Sequence, residues 1–188
     1  AIDEAAESIL TQTRRITRIV QSLVNFSHAG ETPETRFAPV ALRPLVDEAI
    51  ELIRLDRQAG DLQLDNTLPA DLHAQGDRQG LSQVLINLLS NAIDASSPGD
   101  RIGLSGRALP DGRLRLEVSD QGPGIDETLR DRVFEPFFTT KPPGKGTGLG
   151  LSLVYSIVRD HGGQVFVESP ATGGTRVVVL LPSAPATA

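Results

Sequence analysis

Two asparagines, Asn87 and Asn91, interrupt the apolar run Leu81-Ser82-Gln83-Val84-Leu85-Ile86-Asn87-Leu88-Leu89-Ser90-Asn91-Ala92-Ile93-Asp94-Ala95. A spacing of four puts both carboxamides on one side of a helix, with Asp94 one step further along. Asparagine is a weak helix former, so the pair needs a reason. Two carboxamide oxygens at this spacing can share a hard cation that is also bound by phosphates, the usual way Mg²⁺ is held; they can equally be polar residues on a solvated face. A second segment, Asp120-Gln121-Gly122-Pro123-Gly124-Ile125, follows a strand-like run. Its glycines permit close backbone approach by a ligand. Asp120 can accept a hydrogen bond from an exocyclic amine such as that of adenine, although Asp-x-Gly at a strand end is also an ordinary turn.

A third segment runs from Phe134 to Ser152. Phe134, Phe137 and Phe138 form an apolar anchor, and the aperiodic stretch after them is long enough to be a lid. Gly146-x-Gly148-x-Gly150 then enters an amphipathic helix, whose first backbone amides are suited to phosphate. Lys141 and Lys145 are the only lysines of the chain, and both fall in this stretch. There a flexible ammonium can meet terminal phosphates; the alternative is a glycine hinge with solvated lysines. Two other phosphate motifs fail. Gly144-Lys145-Gly146 lacks the Ser or Thr of a P-loop, and the Gly146–Gly150 spacing is not that of the dinucleotide fingerprint.

The elements that must position these residues read as α/β. Phe37–Val40 is a short strand, and a helix with Pro44 in its first turn runs to about Gln58 on a stripe of Leu45, Ala49, Leu52 and Ile53. Leu62–Leu68 alternates as a strand with Leu62, Leu64 and Leu68 inward, and Leu72–Gln75 is another. The asparagine helix spans about Asp77–Ser96. Ile102–Leu109 and Arg113–Ser119 form a hairpin across Pro110-Asp111-Gly112. A short helix lies near Glu127–Val133. Helix Leu149–His161 closes on Gly162-Gly163, and strands Gln164–Glu168 and Thr175–Leu181 follow, with Pro182–Ala188 as a frayed end.

Ahead of all this, Ile2, Ile9, Ile16 and Leu23 recur every seven residues, with Ala6, Thr13, Val20 and Ser27 four later. This heptad stripe fits a bundle or dimerisation helix, or one lying on the domain core. The linker to Arg36 contains Gly30 and Pro33, a sound terminator.

Composition narrows the chemistry. The 188 residues include no cysteine, which removes disulfides, thiol nucleophiles and thiolate metal sites. Three scattered histidines make a poor zinc site. A net charge of −6 without a basic cluster argues against nucleic acid. The acidic start is unlike a signal peptide, and no apolar run is long enough to span a bilayer. The chain is expected to be soluble and, lacking an initiator Met, part of something longer.

In this order and spacing, the segments resemble the ATP-binding domain of sensor histidine kinases. Asn87–Ala95 looks like their N box and Asp120–Gly124 like the first glycine box. Phe134-Glu135-Pro136-Phe137-Phe138 looks like the F box, and Gly146–Ser152 like the second glycine box. Gly173-Gly174-Thr175 and Val177–Pro182 are similar to the last strand. Phe-Phe-Thr-Thr-Lys is most like nitrogen-regulation-type kinases. The resemblance covers about Phe37–Pro182.

It implies an α+β class, a two-layer α/β sandwich of the Bergerat type with a mixed sheet under three helices. ATP would lie between the central helix and the lid. Asn87 and Asn91 would hold Mg²⁺ and phosphate, and Asp120 would read the adenine amine in a pocket shaped by Gly122 and Gly124. Gly146, Gly148 and Gly150 would let lid and helix close on the phosphates, and Thr175 would lie near the base. Ile125, Thr147 and Leu149 join the binding set as members of the same boxes, and Lys141 and Lys145 as the physical inference above.

The implied organisation is residues 1–30 as the second helix of a dimerising hairpin, 31–36 as linker, 37–182 as catalytic domain and 183–188 as tail. The partners implied are ATP, a response regulator receiver domain and a second copy of the chain in the intact protein, with neither nucleic acid nor membrane contacted by this part. The location implied is cytoplasmic, within a larger sensor, whether or not that is anchored in a membrane.

One feature departs from the family. Its phosphoacceptor is a His followed by an acid, and His28, His73 and His161 are followed by Ala29, Ala74 and Gly162. The chain alone is expected to bind ATP without autophosphorylating. Two other readings are a gyrase-like ATP hydrolase and a nucleotide-dependent scaffold without phosphotransfer. The hydrolases of this superfamily place a Glu four residues before the second Asn; here that position is Asn87, and a carboxamide is no general base. The heptad stripe predicts concentration-dependent association. Sedimentation equilibrium that found a strict monomer at high concentration would count against it.

Overall fold

A computed structural model of the chain describes residues 37–55, 61–142, 146–170 and 173–185. The heptad segment, the linker, His28 and Lys145 lie outside the described residues. The strands are β1 (Ala38–Ala41), β2 (Gln63–Asn66), β3 (His73–Gly76), β4 (Arg101–Ala108), β5 (Arg113–Ser119), β6 (Gln164–Glu168) and β7 (Arg176–Pro182). The helices are α1 (Leu42–Arg54), α2 (Arg78–Ala95) and α3 (Gly150–Asp160). Where a short helix was expected near Glu127–Val133, two 3₁₀ turns occur, Glu127–Leu129 and Arg132–Phe134.

Alternation builds the main sheet. In β4 and β5, Ile102, Leu104, Leu114, Leu116 and Val118 are buried while their neighbours face the other way. This is the period-two pattern of a sheet with one covered face. The five strands run in the order β2-β4-β5-β7-β6. The β2–β4 pair is parallel and the other pairs are antiparallel, so the sheet is mixed. β1 and β3 form a separate antiparallel pair. Residues of α1, α2 and α3 join the inward residues of the five-stranded sheet in one apolar cluster, giving the helix layer over the sheet. This is the expected α+β sandwich.

Two local expectations need correction, and a third feature had no signal in the sequence. Leu52 is 55% exposed; the buried stripe of α1 is Leu42, Leu45, Val46, Ala49, Ile50 and Ile53, and Leu52 sits beyond its edge. The end of the chain is not frayed from Pro182. Ser183 bridges to Ala74 and donates its N–H to Gly112 O at 3.0 Å, and Ala184 donates to His73 O at 2.9 Å. Finally, β7 is buried on both faces. On the face away from the helices, Val178 and Leu180 lie between Glu117, Phe166 and Arg115 in the strand register. An ion-pair lattice covers that face: Arg115 with Glu117 at 2.5 Å and Glu168 at 3.0 Å, and Arg176 with Glu117 at 3.2 Å and Glu168 at 3.5 Å.

His161 is structural, as its place at a helix end suggested. It is 5% exposed and stacks on Phe37 with ring centroids 4.6 Å apart. Its Nδ1 lies 2.7 Å from Ile157 O, and its Nε2 accepts the Asp77 N–H at 3.0 Å. The proton is therefore on Nδ1. The ring thus joins the end of α3 to the residue that caps α2. Gly76 makes room for it, since a Cβ there would come within 2.5 Å of the imidazole. His161→Ala should cost about 1–3 kcal/mol, because the Asp77 amide loses its acceptor in a buried place. Urea unfolding measures this, and a change within error would show that the junction holds without the ring.

Candidate functional site

Helix α2 begins at Asp77, whose carboxylate accepts the N–H groups of Gln79 and Gly80 at 3.3 and 2.9 Å. The buried face of the helix is Leu81, Val84, Leu85, Leu88, Leu89 and Ala92. That packing turns Asn87 and Asn91 toward the start of α3. A Cβ on Gly150 would sit 3.7 Å from Asn91 Nδ2, 3.8 Å from Asn91 Oδ1 and 3.8 Å from Asn87 Oδ1. The solvated-face reading of the pair therefore does not hold, because both carboxamides converge on the first residue of another helix. Asn87 Nδ2 is buried and has no hydrogen-bond partner among the described residues. Leaving such a donor unmet costs about 1–3 kcal/mol, so an acceptor group placed beside it would satisfy it.

The start of α3 complements it. Leu149 occupies the cap position without a side-chain hydrogen bond, so the first amides of α3 lack a capping acceptor. Uncapped amides with a helix dipole behind them favour an anion. Thr147 Oγ1 accepts the Leu149 N–H at 3.3 Å and shapes the approach. Among the described residues no three His, Asp or Glu side chains gather as a metal site. A divalent cation at Asn87 and Asn91 would therefore share its coordination with phosphates, and the two carboxamide oxygens are suitable hard donors for it.

Asp120 lies just beyond β5, in a loop seated on the C-terminal end of α2. Its Oδ1 accepts the N–H groups of Gly122 at 2.9 Å and Thr175 at 3.1 Å, and its own N–H reaches Thr175 O at 2.9 Å. Burial pushes the Asp120 carboxyl above the usual aspartate range, with the Gly122 and Thr175 hydrogen bonds pulling the other way. Gly122 lies flat on the end of α2, where a Cβ would be 2.5 Å from Ala95 O. Gly124 turns beside Gly174 O, Ile125 packs on the core edge, and Thr175 is 6% exposed. The backbone of the asparagine helix thus seats the Asp120 loop directly.

The Phe134–Gly150 stretch departs from expectation in one respect. Phe134 and Phe138 pack against the core, but Phe137 is 75% exposed and is no anchor. Its backbone has φ 66°, the left-handed region that a phenylalanine rarely adopts. The Phe137 N–H donates to Gly148 O at 2.9 Å, and Gly148 is itself left-handed. A Cβ on Gly148 would come within 2.4 Å of the Phe137 backbone, so the two chain limbs touch at a point only glycine permits. Gly146 lies against Thr139 Oγ1 and the stem of Lys141. Lys141 is partly exposed but not free. Its Nζ is 2.5 Å from Asp94 Oδ2 on α2. The sequence marked Asp94 only as one more polar residue on the asparagine face; its reach to the lid was not visible there.

The chain matches the family described as histidine kinase-, DNA gyrase B- and HSP90-like ATPase over residues 76–185. It is 34% identical over 185 residues to the signal transduction histidine-protein kinase/phosphatase MprB of Mycobacterium ulcerans, covering 95% of this chain and 35% of that protein. The chain therefore spans about a third of that relative's length. Among solved structures, it is similar to the mycobacterial sensor histidine kinase MprB, with a TM-score of 0.72 and 35% identity over 79% of this chain and 99% of that one. Full-length ShkA in complex with AMPPNP is also similar, with a TM-score of 0.78 and 28% identity over 93% of this chain and 37% of that one. So is histidine kinase ThkA in complex with the response regulator TrrA, with a TM-score of 0.73 and 27% identity over 92% of this chain and 49% of that one. No described helix is long and apolar enough to cross a membrane. On the family match, the shared sandwich and the four motifs in place, the chain belongs to the histidine kinase-, DNA gyrase B- and HSP90-like ATPases, as an ATP-binding catalytic domain of the two-component sensor kinase kind.

Proposed function

We propose that this chain binds Mg²⁺-ATP between α2 and the lid and supplies the γ-phosphate to a histidine outside these 188 residues, for relay to a response regulator aspartate. The observation that carries the reading is the buried, unpartnered Asn87 Nδ2 beside Asn91 and the uncapped start of α3. In this reading Asn87 and Asn91 hold Mg²⁺ and phosphate, and the first amides of α3 with Gly146, Gly148 and Gly150 take the phosphate oxygens. Thr147 and Leu149 shape that turn, and Lys141 and Lys145 meet the terminal phosphates. Asp120 accepts the adenine amine, with Gly122, Gly124, Ile125 and Thr175 around the base. The bound cation would offset polyphosphate charge, which is most of what such a transfer demands besides positioning.

Transfer is favoured over hydrolysis by Asn87 itself, since a carboxamide cannot take a proton from water. No histidine in the chain is followed by an acid. Residues 1–30 are proposed as the second helix of a dimerising hairpin, 31–36 as its linker and 37–182 as the catalytic domain. The partners are a receiver domain and a second copy of the chain, in the cytoplasm; ThkA's complex with TrrA supports the first by similarity.

Calorimetry with Mg²⁺-ATP should give micromolar-range binding that Asn91→Ala and Asp120→Ala abolish. Full binding in both variants would remove the site assignment. The Asp120 carboxyl must be ionised to accept two N–H groups and an amine, and burial raises its pKa. Affinity should therefore be complete at neutral pH and fall as pH drops through that raised value, before ordinary aspartates protonate. Adenosine, which has no phosphate to titrate, is the probe. The same acid-side loss in Asp120→Asn would assign it to another group.

A further inference from the structure

Asp94 stands on the α2 face that carries Asn87 and Asn91, seven and three residues after them, and its carboxylate is 2.5 Å from Lys141 Nζ. Beside Asn87, Asn91 and the start of α3, which offer carboxamides and amide N–H groups, a carboxylate is out of keeping, because it repels phosphate unless a cation covers it. Lys141 is that cation, and its stem is held in place. Its backbone N–H donates to Thr139 Oγ1 at 3.1 Å, Gly146 lies against its Cβ and Cδ, and the Phe137–Gly148 contact fixes the root of the loop. The ammonium end can move while these backbone contacts stay. The two side chains are 33% and 38% exposed, so the pair is open to exchange with a dissolved anion.

We infer that Asp94 is a resident competitor for Lys141. In the empty cleft it holds the ammonium against α2, and an entering polyphosphate takes the lysine from it. The contact sets the affinity of the cleft from within, by an amount that a single carboxylate controls. The identity of the anion rests on the nucleotide reading above; the contact between lid and α2 does not.

Asp94→Asn keeps the shape and removes the charge. Mg²⁺-ATP affinity should rise about two- to fivefold, the scale of a partly exposed ion pair, while adenosine affinity stays unchanged. Lys141→Gln should weaken Mg²⁺-ATP, and adding Asp94→Asn to it should bring none of the gain, since the effect runs through the lysine. In the nucleotide-free protein, Asp94→Asn should speed hydrogen exchange of amides in residues 138–142 and 146–149 and leave α1 unchanged. If the wild-type protein binds Mg²⁺-ATP, an Asp94→Asn affinity that is equal or lower overturns the inference, whatever the exchange shows. If it binds none, the nucleotide reading fails and exchange alone decides: faster lid exchange sustains the contact, and unchanged exchange overturns it.

Discussion

The close approach of α3 to α2 sets the geometry around Asn87 and Asn91, and at one end it depends on leaving a side chain out. At one end Gly80 faces Ile157 and His161, where an added Cβ would come within 3.2–3.3 Å of both. At the other end Gly150 faces Asn87 and Asn91. Between them the buried faces of the two helices share the core with the sheet. With the helices this near, the carboxamides and the uncapped amides point into one small space. A Cβ at Gly80 would press its neighbours by a few tenths of an ångström, whereas one at Gly150 would stand in ordinary contact with the two carboxamides. The His161 ring locks the distal end through the Asp77 amide, so the geometry at the phosphate end is set partly by a side chain at the far end of α3.

The cleft also contains two aspartates, which ordinary electrostatics would keep away from an anion. They are managed differently. Asp120 is surrounded by backbone N–H groups of Gly122 and Thr175, which fix its plane and offset its burial. Asp94 is paired with a side chain instead. A backbone-held carboxylate is a permanent fixture with one orientation. A carboxylate held by a lysine is provisional, because the lysine has other suitors. In the proposed function the rigid acid would read a base edge, and the exchangeable one would meet the arriving charge.

Much of this was legible in the sequence, for identifiable reasons. The β4–β5 hairpin followed from alternation bounded by Pro110-Asp111-Gly112, and α2 from its apolar period with Asp77 as cap. The meeting of Asn87 and Asn91 with Gly150, and of the Asp120 loop with the end of α2, agrees with the motif order. What stayed hidden was set by partners distant in the chain. Leu52 satisfied the period of α1 but fell beyond the width of the covered face. Phe137 counted as apolar, yet its backbone contact with Gly148 turns the ring outward. Lys141 read as a free cation because Asp94 is 47 residues earlier. Ser183 and Ala184 looked like tail because the β1–β3 pair that receives them is built from residues near the other end of the described chain.

The contact between Phe137 and Gly148 has a bearing on how this part of the molecule can change over time. It draws the two limbs of the Phe134–Gly150 stretch together at a neck, so whatever lies between is a closed ring hung from a fixed point. Lengthening a ring whose ends already meet costs little, about 0.6 kcal/mol for each doubling. Residues can be gained or lost inside it without shifting Phe138's seat on the core or the first turn of α3. The ring can thus change in length while Lys141, Gly146 and the first turn of α3 keep their contacts.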